Sequence, residues 1–151
     1  TIGAKEASLA IMVGGYEKTF KECYDLLKIL GNPTLVGPVT SGQISKRANQ
    51  IIVGVTIGAV AEAVTLCEKS GTNPSKMIEA LSGGWADSKI LQTHGKRMIG
   101  KDFSPKGKTT TQLKDMTNII NAGKAVDTHL PISSLIKEMY KDLVADGHGN
   151  T

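Results

Sequence analysis

A chain of 151 residues with 40% hydrophobic and 21% charged residues is ordinary for a globular protein and holds one good core, or one and a piece of a second. The net charge of +4 and pI of about 9.1 permit contact with nucleic acid, but the 18 Lys and Arg are spread out and aromatics are only 4%. Clustered cations for phosphates and aromatic platforms for bases are both missing, so no nucleic-acid partner is expected.

The elements follow in chain order. Leu9–Val13 is a short apolar run closed by Gly14-Gly15, which predicts a buried strand. From Tyr16 to Leu30, apolar residues recur three and four apart at Phe20, Cys23, Tyr24, Leu27 and Leu30, the pattern of a helix. Gly31 reads as its C′ residue and Pro33 as its stop. Thr34–Val36 reads as a second strand. This β-α-β unit is too small to be a domain and is expected to be the edge of a larger sheet.

Beyond the turn at Gly37, Pro38, Ser41 and Gly42, a helix of about 25 residues runs to Lys69. Its apolar positions go nearly all the way round, so burial on most sides is expected. The stretch Ile51–Cys67 carries Glu62 and is shorter than the roughly 20 residues a membrane span needs, so a core helix is preferred to a membrane one. Gly54 and Gly58 predict close approach of another backbone. Asn73 reads as an N-cap with Pro74 at N1, opening a short helix over 74–82 that Gly83-Gly84 breaks. Further helices are predicted over 87–99, 109–126 and 131–145, with 146–149 fraying. The fold class expected is mainly α: an all-helical domain over 41–151 behind a small β-α-β piece over 1–40.

Cys23 and Cys67 lie in helical stretches without a CxxC, and no signal-peptide pattern opens the chain. Reduced core thiols in a cytoplasmic protein are expected. His94, His129 and His148 have no partner at ligand spacing, so no metal is predicted. Trp85 beside the glycine break suits an interface or a pocket wall.

The phrase GPVTSGQISKRANQ, Gly37 to Gln50, resembles a signature of the β-hydroxyacid dehydrogenase family, G-x-x-G-x-G-x-x-x-K followed by a side-chain amide. Gly37, Gly42 and Lys46 match it, and Thr40 stands where the family has its middle glycine. Leu113-Lys114-Asp115-Met116 resembles the family's KDL motif, and Asp102-Phe103-Ser104-Pro105 the phrase before it. The opening GAKEASLAIMVGG is similar to the segment after the family's S-G-G turn. KRANQIIVGV, SGGWADS and VADGHGNT most resemble its tartronate semialdehyde reductase branch, with the 3-hydroxyisobutyrate dehydrogenases next.

The resemblance implies an NAD(P)-dependent oxidoreductase of small hydroxyacids, with an N-terminal Rossmann domain that carries a glycine-rich dinucleotide loop. No GxGxxG follows a strand here, so the chain reads as a C-terminal fragment, inactive alone, with the 1–40 piece as the last edge of that domain. Reducing a carbonyl requires hydride from the nicotinamide and a proton for the developing alkoxide. Lys46, at the joint between the two parts, is the expected general acid. Asn49 and Gln50 follow at i+3 and i+4 and are expected to hold substrate; the family's amide stands at Gln50. Lys114 is implied as a cofactor contact, with Asp115 orienting it or capping a neighbour. The partners expected are a small hydroxyacid, NAD or NADP, and further copies of the chain through the helical part. A non-catalytic helical dimerisation module is the alternative.

Overall fold

A computed structural model of the chain describes residues 2–151, and its contacts cluster into two compact units, Thr1–Asn49 and Gln50–Thr151. The first holds a one-turn helix α1 (Ile2–Lys5), strand β1 (Leu9–Gly14), helix α2 (Glu17–Lys28), strand β2 (Gly31–Gly37) and the opening turns of α3 (Ser41–Lys69). The strands are parallel, in register from Leu9 opposite Gly31 to Val13 opposite Leu35, with a shift before Gly14 meets Gly37. Parallel strands need a crossover, and α2 supplies it. Along α2, Phe20 and Tyr24 meet edge to face at 5.7 Å between ring centres. Cys23 is exposed rather than in a core.

The link between α2 and β2 corrects the sequence reading. Gly31 and Pro33 do not end the helix; both lie in β2, which is longer than Thr34–Val36. Ile29, the C-cap of α2, is right-handed, and Gly31 is not among the positive-φ residues. Gly31 serves close approach instead: a Cβ there would stand 2.1 Å from the Leu9 carbonyl oxygen and 2.6 Å from its nitrogen. Pro33 is tolerated because β2 is an edge strand. The Leu9 N–H donates to the Leu30 carbonyl, and the alternation of a parallel ladder then turns the Pro33 nitrogen away from β1.

The second unit is helical. Asn73 caps α4 (Pro74–Leu81) as its sequence predicts, its Oδ1 accepting from the N–H groups of Ser75 at 2.9 Å and Lys76 at 3.2 Å, with Pro74 in the first turn. The helix expected over 87–99 begins at 89 and carries a π turn, Leu91–Gly95, ahead of α5 (Lys96–Ile99). Helices α6 (Thr109–Ala125) and α7 (Pro131–Leu143) follow, and α7 runs into a second π turn, Val144–His148.

Two cores hold this unit. Val60 and Val64 of α3 pack with Ile78 and Leu91. Met116 and Ile119 of α6 pack with Ile136 of α7, against Ile51 and Val55. Gly54 and Gly58 do provide close approach: a Cβ at Gly54 would lie 3.1 Å from the Met116 sulfur, and one at Gly58 would lie 2.7 Å from the Ile136 Cδ1.

Helix α3 is less enclosed than expected. It buries Gly54, Val60 and Val64, while Ile44, Ile52 and Leu66 are exposed. At 1.5 Å per residue, a helix of 29 residues is about 43 Å long, and the shorter helices around it cannot cover every face. By length and composition alone α3 could cross a membrane, with mean hydropathy 1.8 over its most apolar window.

The tail corrects the reading in the other direction. Residues 146–149 do not fray. Gly147 turns at φ 90°, and the chain returns to the start of α6. There the Thr109 N–H donates to the Thr151 carbonyl at 3.0 Å and the Thr110 N–H to the Gly149 carbonyl at 3.1 Å. The residue before α6, Lys108, offers no side-chain cap, so the tail satisfies amides that the helix leaves open.

Candidate functional site

The junction from β2 into α3 is built by glycines. Gly37 sits at φ 144°. A Cβ at Gly42 would be 2.5 Å from the Met12 carbonyl oxygen, and one at Gly14 would be 2.7 Å from the Pro38 carbonyl oxygen. Both positions let the first turn of α3 seat directly on the end of β1. Thr40, standing in place of a glycine, nevertheless adopts φ 80°. The backbone keeps the left-handed path and the side chain bears the strain, roughly 1–2 kcal/mol for a residue with a Cβ. Thr40→Gly removes that strain but adds about 0.5–1 kcal/mol of chain entropy to the unfolded state. The expected net result is stabilisation by about 0.5–1 kcal/mol, read as a raised urea midpoint with an unchanged slope; a lowered midpoint would contradict it.

Lys46 follows on the second turn of α3 and is exposed. It lines an open hollow that runs along β1, whose other walls are Leu9 to Met12, Gly14, Thr40, Gly42 and Gln43. A run of consecutive strand residues in one wall means that the hollow follows the edge of β1 that β2 does not cover. Asn49, three residues after Lys46, is half-buried.

In the helical unit, Gln50 is half-buried and its Nε2 donates to Asp115 Oδ2 at 2.8 Å. The other carboxylate oxygen of Asp115 lies 3.7 Å from the Lys114 ammonium, whose side chain is 67% exposed. Asp115 therefore ties α6 to α3 while its neighbour Lys114 projects outward. This link spans 65 positions in sequence, and no local pattern signals it. Trp85 stands exposed after Gly83, whose N–H donates to Asp87 Oδ2 at 2.7 Å. Among the described residues, no group of three or more His, Cys, Asp or Glu side chains could hold a metal.

Comparison with known proteins places these residues in context. The profile of the family described as "NAD-binding of NADP-dependent 3-hydroxyisobutyrate dehydrogenase" matches residues 40–151. A 2-hydroxy-3-oxopropionate reductase of Escherichia coli is 42% identical over 147 residues, 97% of this chain and 50% of that protein. A probable mitochondrial 3-hydroxyisobutyrate dehydrogenase-like protein of Arabidopsis thaliana is 32% identical over 99% of this chain and 45% of its own length. The chain thus spans about half the length of the curated relatives it matches. Among solved structures, a Salmonella typhimurium 3-hydroxyisobutyrate dehydrogenase superposes over 99% of this chain and 53% of its own with a TM-score of 0.89 at 22% identity. A Mycobacterium tuberculosis 3-hydroxyisobutyrate dehydrogenase solved with L-serine superposes over 99% of this chain and 54% of its own at 0.86 and 27% identity.

Proposed function

The chain belongs to the NAD-binding family of NADP-dependent 3-hydroxyisobutyrate dehydrogenase, and from that premise we propose that it is the C-terminal part of an oxidoreductase that interconverts a small β-hydroxyacid and its aldehyde or keto acid. The reading favours tartronate semialdehyde as substrate, in keeping with the 42% identity to a 2-hydroxy-3-oxopropionate reductase. On this reading 1–40 is the edge of a dinucleotide-binding Rossmann domain, and 41–151 is the helical substrate domain. The open edge of β1 and the parallel strand pair support the first assignment. Exposed Ile52 and Leu66 on α3, with Ile132 and Leu135 on α7, support assembly of several copies through the helical part.

Lys46 carries the reading: an ammonium on the second turn of α3, open to a hollow along β1. Such a group stabilises the alkoxide that forms on a reduced carbonyl and hands it a proton. Asn49 and Gln50 are the substrate-holding amides. Asp115 fixes Gln50 in place through the 2.8 Å hydrogen bond. The exposed ammonium of Lys114 fits an anionic dinucleotide. NAD or NADP, when bound, supplies the hydride. The glycine loop that grips its pyrophosphate is not in these 151 residues, so the isolated segment is expected to be inactive.

Substrate choice tests this. One methylene at a binding site is worth about 10–200-fold in kcat/KM, and Gln50 is one methylene longer than the asparagine that usually ends the resembled family signature at this position. The complete protein is expected to prefer tartronate semialdehyde over methylmalonate semialdehyde, the carbonyl partner of 3-hydroxyisobutyrate, by roughly tenfold or more. Gln50→Asn should narrow the gap. A wild-type preference for the methylated substrate would overturn the assignment.

A further inference from the structure

The hydrogen bond between Gln50 and Asp115 is held by packing at both ends. Met116, the residue after Asp115, is fully buried in the second core of the helical unit, and Ile51, the residue after Gln50, packs against that core. Apolar contact therefore fixes both backbones. The two side chains meet half-buried at the edge of this core, Gln50 Nε2 donating to Asp115 Oδ2 at 2.8 Å. Two elements 65 positions apart in sequence are tied there by one polar contact.

The direction of this bond matters more than its length. A side-chain amide has a donating end and an accepting end, and beside a hydroxyl or another amide either end can face the partner. A carboxylate only accepts. Asp115 therefore takes the nitrogen end of Gln50, and its other oxygen lies 3.7 Å from a second donor, the Lys114 ammonium. The Gln50 carbonyl oxygen is the end turned away from Asp115. It has two lone pairs, so it accepts from a ligand hydroxyl alongside any partner it has within the protein.

We propose that Asp115 is a specificity-determining positioning residue: by fixing the direction of the Gln50 amide, it makes the carbonyl oxygen of Gln50 the acceptor for a hydroxyl on the substrate carbon between carbonyl and carboxylate. The proposal rests on the substrate-holding role given to Gln50 above. Tartronate semialdehyde carries a hydroxyl at that carbon, and methylmalonate semialdehyde carries a methyl. A methyl cannot donate, so binding it strips water from the carbonyl oxygen and returns nothing. Sites built on such a bond reject an analogue lacking the group far more strongly than sites that discriminate by volume.

The test is steady-state kinetics on the complete protein with both aldehydes, with dinucleotide binding as the control for folding. Asp115→Asn keeps the size of the side chain but offers a donor as well as an acceptor, so Gln50 is free to turn round; Asp115→Ala releases the amide altogether. The ratio of kcat/KM for tartronate semialdehyde to that for methylmalonate semialdehyde is expected to fall at least about tenfold in Asp115→Ala, and to fall in the same direction in Asp115→Asn. The loss should come from the hydroxylated substrate, with the methylated one used at nearly the wild-type rate. Gln50→Met, which removes the amide, should lower the ratio as far, and adding Asp115→Ala to it should lower it no further, because the one residue acts through the other. A merely structural role would slow both substrates together and leave the ratio in place. A ratio that survives in both Asp115 variants, or effects of Asp115→Ala and Gln50→Met that simply add, would overturn the proposal. A wild-type protein with no preference between the two aldehydes would instead contradict the role given to Gln50, and the proposal with it.

Discussion

Lys46→Ala in the complete protein is expected to lower kcat by roughly 10²–10⁴-fold, the range for losing a general acid, while cofactor affinity hardly changes. The reasoning joins position to chemistry. Lys46 lies on the second turn of a helix whose entry is fixed by Gly37, Thr40 and Gly42, and it opens onto a hollow along β1. Hydride arriving at a carbonyl carbon leaves charge on the oxygen, and an ammonium within reach both stabilises that charge and quenches it with a proton. On the proposed reading cofactor affinity is spared because Lys46 acts on the substrate oxygen and these 151 residues hold no glycine-rich pyrophosphate loop. Lys46→Arg separates the two roles. A guanidinium keeps the charge but cannot release a proton near neutral pH, so little rescue is expected. Steady-state kinetics on both variants, with nicotinamide binding as the control for folding, decides it. More than about a tenth of wild-type kcat in Lys46→Ala would contradict the acid role. Full rescue by Arg would make Lys46 an electrostatic clamp.

Gly31→Ala is expected to be the most damaging single methyl in the first unit, at about 3 kcal/mol or more, the upper end of overpacking costs. The new Cβ would stand 2.1 Å from the Leu9 carbonyl oxygen, 2.6 Å from the Leu9 nitrogen and 2.8 Å from the Leu9 carbonyl carbon. All three atoms are backbone of the paired strand, so relief means parting β1 from β2. The crossover helix α2 buries no residue fully, so the pair depends largely on its own ladder. Gly58→Ala is the contrast. Its Cβ would meet the Ile136 Cδ1 at 2.7 Å, the tip of a side chain that can change rotamer, and a cost near 1 kcal/mol or a little above is expected. Urea denaturation of both variants measures the difference. Equal midpoints would show that the strand pair yields more easily than its geometry implies.

These glycines also show what a sequence reveals and what it hides. Gly54 and Gly58 sit four apart on an apolar helix, and that spacing announces close packing before any partner is known. Asn73-Pro74 announces a helix start because cap and first turn are local chemistry. Gly31 misleads, since a glycine after an amphipathic run, with proline two residues on, reads equally well as a helix end and as a point where strands touch. Only the pairing with Leu9, 22 positions earlier in the register, separates them. Thr40 is the opposite case: a departure from the glycine pattern that left the backbone path open, resolved by a φ of 80°. Lys46, Asn49, Gln50 and Lys114 are legible as candidates from motif spacing, but the Gln50–Asp115 bond comes from tertiary packing. The return of the tail onto the start of α6 is hidden for the same reason, because DGHGN reads as solvent-loving wherever it lies.

The most direct test of the whole account is a spectrophotometric one. The complete protein, mixed with reduced nicotinamide dinucleotide and a small aldehyde acid such as tartronate semialdehyde, is predicted to consume the nicotinamide absorbance catalytically, and to do so with NADH or NADPH as the hydride source. A folded protein that binds the dinucleotide yet leaves it reduced, whichever small aldehyde or keto acid is offered, would contradict the account.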